Sequence, residues 1–171
     1  LLVDATNAFN RATALLNVRH SCPEFATYLI NTYRHPAKLS LPDGSHILSR
    51  EGTTQGDNCA SGFYSISTMT LIKELSLIEQ CRQIWYADDG GAGGTLTAVK
   101  SWWDKLLELG PAIGYYPNAS KTWLVVKPQF LEEAKTIFAN TGIKITGEGP
   151  ESEGQGHVGG QRYLGAAIGS K

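Results

Sequence analysis

Cysteine is scarce in this chain. The three cysteines, Cys22, Cys59 and Cys81, lie far apart among 171 residues and form no Cys-x-x-Cys pair. An odd number at wide spacing fits neither a disulfide framework nor a zinc site, and it favours reduced thiols in an intracellular protein, whether cytoplasmic or nuclear. The four histidines form no pattern that is typical of metal ligands, so we expect them to be surface or loop residues.

Long apolar runs and a strong net charge are also missing. No run approaches the roughly 18 residues that a membrane-spanning helix needs, so we expect no membrane partner. The formal net charge is −1, which argues neither for nor against nucleic acid because a neutral total can hide a local basic groove. Since the first residue, Leu1, already lies inside an apolar run, we expect the chain to be an excerpt from a longer protein.

The pattern of apolar residues predicts an irregular mixture of strands and helices. That mixture favours an α+β fold over a doubly wound sheet. The predicted elements are a strand ending at Asp4, a helix over 23–34, a hairpin around Pro42-Asp43-Gly44, a helix from a cap at Asp57 or Asn58 to about Leu77, a strand over 83–87, a helix over 95–110, a strand over 122–126, a helix over 128–142, a strand over 143–146, a flexible loop over 147–160 and a final strand over 161–169.

Two adjacent carboxylates end the apolar strand over 83–87. Asp88 and Asp89 repel each other and cost free energy to desolvate, so something positive should compensate them. Asp4 ends the first strand, and if the two strands are neighbours, three carboxylates meet at one edge of a sheet. Such hard oxygen ligands suit Mg²⁺, and two ions about 3.5–4 Å apart activate a hydroxyl and stabilise a leaving phosphate. The alternative is that these aspartates only form turns or caps.

An ordered set of motifs resembles those of the reverse transcriptases. The YADD of 86–89 resembles their YxDD signature, and the LLVDATNAF of 1–9 resembles the preceding motif, an Asp followed five residues later by an aromatic residue. The TTQGDNCAS of 53–61 resembles the Gln-Gly-Asp loop between them. The GYYPNASKT of 114–122 resembles the Gly…Asn…Lys-Thr motif of non-LTR retrotransposon enzymes, and the RYLG of 162–165 resembles the hairpin that grips the primer.

This resemblance implies the palm of an RNA-directed DNA polymerase of the retrotransposon type. A palm is an antiparallel sheet backed by helices, with carboxylates at a β-hairpin turn. Residues 1–171 would form this one domain, with the fingers upstream and the thumb downstream missing, so we expect the isolated segment to polymerise poorly. The implied partners are an RNA template, a DNA or RNA primer, deoxynucleoside triphosphates and the flanking domains of a parent polyprotein.

The resemblance also implies roles in catalysis and metal binding. Asp4 and Asp88 would bind two Mg²⁺ ions, for which Mn²⁺ would be a substitute, and Asp89 would assist them. The carbonyl of Ala5 would help to hold the nucleotide-bound ion. Lys121 would neutralise or protonate the leaving pyrophosphate; the alternative for it is a solvated lysine before a strand.

Further matched residues would contact the nucleotide and the nucleic acid. Phe9 would stack under the incoming sugar and exclude a 2′-hydroxyl, although a core aromatic is the plainer explanation. The residues that would contact the nucleotide or the template are Gln55, Gly56 and Tyr86, and those near the primer are Tyr163, Leu164 and Gly165. Ordinary turns and strand ends remain the alternative for these residues.

Two departures from the family pattern keep other functions open. Asn58-Cys59 stands where the family often has Pro, and GGAGG at 90–94 predicts that the returning strand is flexible or poorly formed. One alternative is an RNA-dependent RNA polymerase palm, against which Phe9 argues. Another is a non-catalytic nucleic-acid-binding relic of a retroelement, which the glycines favour and the intact aspartates oppose.

Overall fold

The structure is a computed structural model that describes residues 1–5, 14–49, 57–146, 160–163 and 166–169. It confirms the α+β class, since helices and a mostly antiparallel sheet both occur in these ranges. Within the same ranges, no helix has the length and apolar character that crossing a membrane requires.

The described strands span two to six residues, and the described α-helices span seven to sixteen residues. The strands are β1 (Leu2–Val3), β2 (Ala37–Ser40), β3 (His46–Ser49), β4 (Cys81–Tyr86), β5 (Asp89–Gly94), β6 (Trp123–Leu124), β7 (Lys144–Ile145), β8 (Gly160–Tyr163) and β9 (Ala166–Gly169). The α-helices are α1 (Ala14–Ser21), α2 (Pro23–Tyr33), α3 (Ala60–Leu75), α4 (Leu96–Leu109) and α5 (Leu131–Ile137). Short 3₁₀ turns occupy Gly110–Ile113, Ala119–Lys121 and Pro128–Phe130.

One compact unit contains the main sheet. It is formed by Leu1–Asp4, Ile78–Lys105 and Pro117–Lys171. Its five strands run in the order β4-β5-β1-β6-β7. All neighbouring strands are antiparallel except β6 and β7, which are parallel. The first strand of the chain therefore lies in the middle of the sheet, directly beside the strand that begins at Asp89.

The two faces of this sheet differ in burial. On the inner face Val3, Leu124 and Ile145 are at most 4% exposed. Trp85 shares this face, because Gly90 lies opposite both Trp85 and Val3, and its ring packs 5.9 Å from that of Trp102 on α4. The outer face is defined by the alternate residues, which are Arg82, Ile84 and Tyr86 of β4, Asp89, Gly91 and Gly93 of β5, Leu2 of β1, Trp123 of β6 and Lys144 of β7.

A second compact unit is formed by Ala5–Leu77 and Leu106–Tyr116. It contains the helices α1, α2 and α3 and the hairpin of β2 and β3, which the sequence predicted around Pro42-Asp43-Gly44. Val18, Leu29 and Phe63, one from each helix, form its buried cluster.

The start of α3 differs from the prediction, and its buried face includes polar residues. The N-cap residue is Cys59, not Asp57 or Asn58, although the Asp57 carboxylate still accepts the Cys59 N–H at 2.7 Å. The buried face includes Ser67 and Thr68. Their hydroxyls donate to carbonyls one turn earlier, at 2.7 Å and 3.1 Å, which lets polar residues occupy a core face.

Several strand and helix boundaries are also corrected. The predicted helix over 128–142 is a 3₁₀ turn followed by the shorter α5. The predicted single strand over 161–169 is an antiparallel hairpin of β8 and β9, with Tyr163 opposite Ala166. The GGAGG run forms a complete strand, because every residue of β5 pairs with β4, so the expectation of a poorly formed strand was wrong. Of the predicted loop over 147–160, only Gly160 lies within the described residues.

Candidate functional site

The hairpin of β4 and β5 places two aspartates at a tight turn. Tyr86 pairs with Asp89, so only Ala87 and Asp88 connect the strands. Ala87 has a φ of +52°, in the left-handed region that two-residue hairpin turns require. For a residue with a Cβ, the left-handed conformation raises the backbone free energy by about 1–2 kcal/mol. The local backbone is therefore strained where Asp88 is displayed, which is common at functional sites.

Strand β1 brings Asp4 to the same end of the sheet. Leu2 lies opposite Gly91 and Val3 opposite Gly90. One further step in this register puts Asp4 beside Asp89. The backbone carbonyl of Asp4 accepts the N–H of Asn118 at 2.9 Å, which fixes the chain at the point where β1 ends. The condition stated from the sequence, that the two acidic strand ends are neighbours, is met in this sheet.

The three carboxylates interact electrostatically. Partial burial is the first cause that raises the pKa of Asp89 above its ordinary value of 3.8, and the negative charges of Asp88 and Asp4 raise this pKa further. The fold therefore holds three like charges close enough to repel each other, at a cost in stability. Carboxylates kept together against their repulsion are candidates for a functional site.

Lys121 is the cation that the structure places beside Asp4. Its ammonium nitrogen lies 3.3 Å from Asp4 Oδ2, and the two side chains are 67% and 35% exposed. Asn118 supports the turn that carries Lys121, because its Oδ1 accepts the Ser120 N–H at 3.1 Å. An exposed ion pair contributes only about 0–1 kcal/mol, so the pair with Asp4 does not hold the Lys121 ammonium firmly in place.

The oxygen donors fit an ion that also binds substrate. Mg²⁺ typically takes one or two carboxylates and completes its shell with water and substrate phosphates. In the described part of the chain, no three His, Cys, Asp or Glu side chains are grouped closely enough to hold an ion among themselves. Ala5, the other predicted oxygen donor, follows Asp4 directly and is buried.

Of the remaining predicted site residues, two lie in the described part of the chain and five lie outside it. Tyr86 is 67% exposed and lies opposite Asp89, on the outer face of the sheet. Tyr163 ends β8, which pairs with β9 in a separate two-stranded sheet. The residues that lie outside the described part of the chain are Phe9, Gln55, Gly56, Leu164 and Gly165.

No sequence motif indicated the residues that support the hairpin from behind. Gln83 Oε1 accepts hydrogen bonds from the indole N–H groups of Trp85 and Trp102, both at 3.0 Å. Gly90 leaves room for the Trp85 ring, since a Cβ at that position would lie 3.1 Å from the ring. The sequence places Gln83 and Trp85 two residues apart on one strand. Nothing in the sequence indicated that Trp102 also donates a hydrogen bond to Gln83.

No protein-family model and no curated protein matches this chain. The comparisons therefore show no family for this chain.

Asp89→Asn is expected to stabilise the chain at neutral pH. Because the folded-state pKa of Asp89 is raised, its carboxyl binds a proton more tightly in the folded state than in the unfolded state. Its unfavourable contribution is absent below pH 4 and grows as the pH rises through the raised pKa. After allowance for solvent screening, the gain at pH 7 should be a few tenths of a kcal/mol.

Urea unfolding of both forms between pH 3 and pH 7 measures this difference. Asp104→Asn is the matched control, because Asp104 lies on α4 in an exposed pair with Lys100 and carries no such repulsion. A lower free energy of unfolding for Asp89→Asn at pH 7, or a gain that persists unchanged at pH 3, would show that partial burial and repulsion of the charged carboxylate do not control this difference.

Proposed function

We propose that this chain is the palm of an RNA-directed DNA polymerase of the retrotransposon type. It would join a deoxynucleotide to the 3′-hydroxyl of a primer, under the direction of an RNA template. The observation that carries the proposal is the meeting of Asp4 with Asp88 and Asp89 at one end of the sheet. These residues belong to two motifs that are distant in sequence, and strand pairing brings them together as the resemblance requires.

The architecture of the sheet supports a palm. Strands β4, β5, β1 and β6 are antiparallel in that order, and α4 packs on the inner face through Trp102. Asp88 lies at the hairpin turn and Asp4 at the end of the adjacent strand. A sheet backed by a helix on one face, with carboxylates at a hairpin, is the arrangement that the motif resemblance predicts.

Asp4 and Asp88 would hold two Mg²⁺ ions from two different strands, with Asp89 and the Ala5 carbonyl as further oxygen donors. When bound, such ions supply Lewis-acid stabilisation of the α-phosphate and of the attacking and leaving oxygens. The pairing of β1 with β5 brings the two carboxylates to the same end of the sheet before substrate arrives, and such preorganisation would lower the reorganisation that the reaction requires.

Lys121 would act on the leaving group. Its ammonium is already within ion-pair distance of Asp4, and a triphosphate bound there would attract it more strongly than one carboxylate does. A positioned cation stabilises the charge that develops on pyrophosphate as the bond to the α-phosphate breaks.

The proposed partners are an RNA template, a DNA or RNA primer and deoxynucleoside triphosphates. The template selects each base by pairing, so the protein needs contacts to the nucleic-acid backbone more than it needs to read base edges. Phe9, Gln55, Gly56 and Tyr86 would contact the nucleotide and template, and the segment 163–165 would contact the primer.

Primer extension by the polypeptide of the complete open reading frame tests this function. The reaction uses an RNA template, Mg²⁺ or Mn²⁺, and either deoxynucleotides or ribonucleotides. We expect extension with deoxynucleotides and strong discrimination against ribonucleotides. A preference for ribonucleotides would instead identify an RNA polymerase palm, and no extension by folded, RNA-binding protein with either metal would identify a non-catalytic relic.

A further inference from the structure

One amide oxygen joins the acidic hairpin to the helix behind it. Gln83 Oε1 accepts the indole N–H of Trp85, two residues later on β4, and the indole N–H of Trp102 on α4, each at 3.0 Å. Both partners are donors, so the oxygen and not the amide nitrogen of Gln83 must face them. Trp102 is fully buried, so water cannot take the place of this acceptor. The Gln83 side chain therefore fixes two indole rings at once.

The Trp85 ring passes this constraint to the two strands that carry the carboxylates. A Cβ on Gly90 would lie 3.1 Å from the ring, so Trp85 packs closely against β5 at the residue after Asp89. Gly90 also lies opposite Val3, which is 1% exposed and directly precedes Asp4. Interiors packed this closely transmit small displacements. A shift of the Trp85 ring would therefore reach both strand ends at which the carboxylates lie.

The turn between β4 and β5 needs support of this kind. Ala87 has a φ of +52°, and a residue in that region keeps its conformation only where the surrounding structure over-determines it. Among the described strands, β4 lies at the edge of the main sheet, so strand pairing holds it on one side only. The hydrogen bond from Trp102 to Gln83 holds β4 from the inner face as well. The position of the hairpin therefore depends on this bond.

We propose that Gln83 is a positioning residue of the candidate metal site, which is formed by Asp4, Asp88 and Asp89. Through the two indole rings it sets where the hairpin holds Asp88 relative to Asp4. The proposal rests on the proposed function, because it concerns the divalent cation that these carboxylates would bind. Mg²⁺ demands near-ideal octahedral geometry, so a small displacement of one carboxylate weakens its binding.

Gln83→Met tests this role, because methionine has a similar length but no amide oxygen. The protein is the polypeptide of the complete open reading frame, and the probe is Mn²⁺, whose free concentration is followed by electron paramagnetic resonance. The sites counted are those that disappear in the Asp4→Asn, Asp88→Asn double variant. Loss of a residue that orients metal ligands typically lowers metal affinity about 10–100-fold. Because Gln83 acts through other side chains, we expect the lower end, a dissociation constant raised about tenfold.

Gln83→Glu and Thr146→Val separate positioning from simple stabilisation of the fold. The Glu carboxylate still accepts both indole N–H groups, so Mn²⁺ affinity should stay within about twofold of wild type. Thr146 is 5% exposed, and its Oγ1 accepts the Val126 N–H at 3.2 Å next to β7, at the opposite edge of the sheet. Thr146→Val should lower the thermal unfolding midpoint and leave the Mn²⁺ affinity of the folded protein unchanged. A purely structural Gln83 would behave as Thr146 does.

Trp102→Phe keeps the test valid if Gln83→Met fails to fold. Phenylalanine keeps an aromatic ring beside Trp85 but donates no hydrogen bond to Gln83. Mn²⁺ affinity should fall, although less than in Gln83→Met. In the Gln83→Met background the same change should add little, because both changes break one bond. Wild-type Mn²⁺ affinity in whichever of the two single variants folds would overturn the proposal.

Primer extension separates the failure of this proposal from the failure of the proposed function. In Gln83→Met the Mg²⁺ concentration that gives half-maximal extension should rise, whereas affinity for the primer–template should not change, because Gln83 lies on the inner face of the sheet. If wild-type protein extends primers and all variants match its Mn²⁺ and Mg²⁺ dependence, the function stands and the positioning role is wrong. If the wild-type protein has no Mn²⁺ site that the double aspartate variant loses, the metal site itself is wrong and the role of Gln83 falls with it.

Discussion

Asp88→Asn is expected to lower the rate of primer extension roughly a thousandfold, which corresponds to about 4 kcal/mol of transition-state stabilisation. Asn has nearly the same shape but carries no charge, so it is a poor ligand for a hard divalent cation. The same change removes one of the charges that raise the pKa of Asp89, so the fold should not lose stability. The rate of extension should therefore fall while the free energy of unfolding does not.

The assay is single-turnover extension of a labelled primer by the polypeptide of the complete open reading frame. Asp104→Asn is the control for removing one carboxylate, because Asp104 bonds Lys100 on the exposed side of α4. It should retain wild-type rates. An Asp88→Asn protein that is folded and extends within tenfold of wild type would remove Asp88 from the chemistry.

Gly94→Ala is expected to lower the free energy of unfolding by about 3 kcal/mol. A Cβ on Gly94 would overlap the carbonyl oxygen of Gln80, which is backbone and not the end of a flexible side chain. Gln80 also has a φ of +57°, so its backbone is already in the left-handed region and has little room to adjust. The end of the hairpin away from Asp88 would have to open.

Gly93→Ala is the matched control, one residue earlier in the same strand. A methyl group there meets no described atom within 4 Å, and the loss of glycine reduces the entropy of the unfolded chain. We expect Gly93→Ala to be neutral or to stabilise by about 0.5 kcal/mol. Urea unfolding at pH 7 compares the two variants, and similar free energies for both would show that the Gln80 contact does not restrict position 94.

Local patterns predicted most elements of the fold but not the pairing of the strands. Pro23 and the apolar spacing after it predicted α2, and Pro42-Asp43-Gly44 predicted the hairpin of β2 and β3, because these signals act within a few residues. The position of β1 between β5 and β6 depends on contacts across more than half of the chain, for which no local signal exists.

The failures have a common physical cause. Composition predicted that GGAGG is a weak strand, because glycine has low strand propensity. Hydrogen bonds to β4 on one side and β1 on the other order the strand nonetheless, and tertiary pairing overrides propensity. Ser67 and Thr68 lie on the buried face of α3 for a similar reason, since their hydroxyls donate to carbonyls of the preceding turn only once the helix has formed.

The candidate site was predicted in part. Asp4, Asp88 and Asp89 were identified because they belong to motifs that occur in a recognisable order along the chain. Their local sequence alone indicates only turns. Gln83 was not identified, because its role depends on Trp102, which lies on another element. Side chains that hold a site in place carry little sequence signal unless their partners are already known.

A divalent cation held between the end of β1 and the hairpin turn is the claim on which the proposed chemistry depends. Fe²⁺ binds oxygen sites in place of Mg²⁺, and with ascorbate and peroxide it cleaves the backbone nearby. We predict cleavage concentrated around Asp4 and residues 87–89, suppressed by excess Mg²⁺ and abolished in the Asp4→Asn, Asp88→Asn double variant. Cleavage at these positions that persists in the folded double variant, or no cleavage there in the wild-type protein, would contradict the metal site.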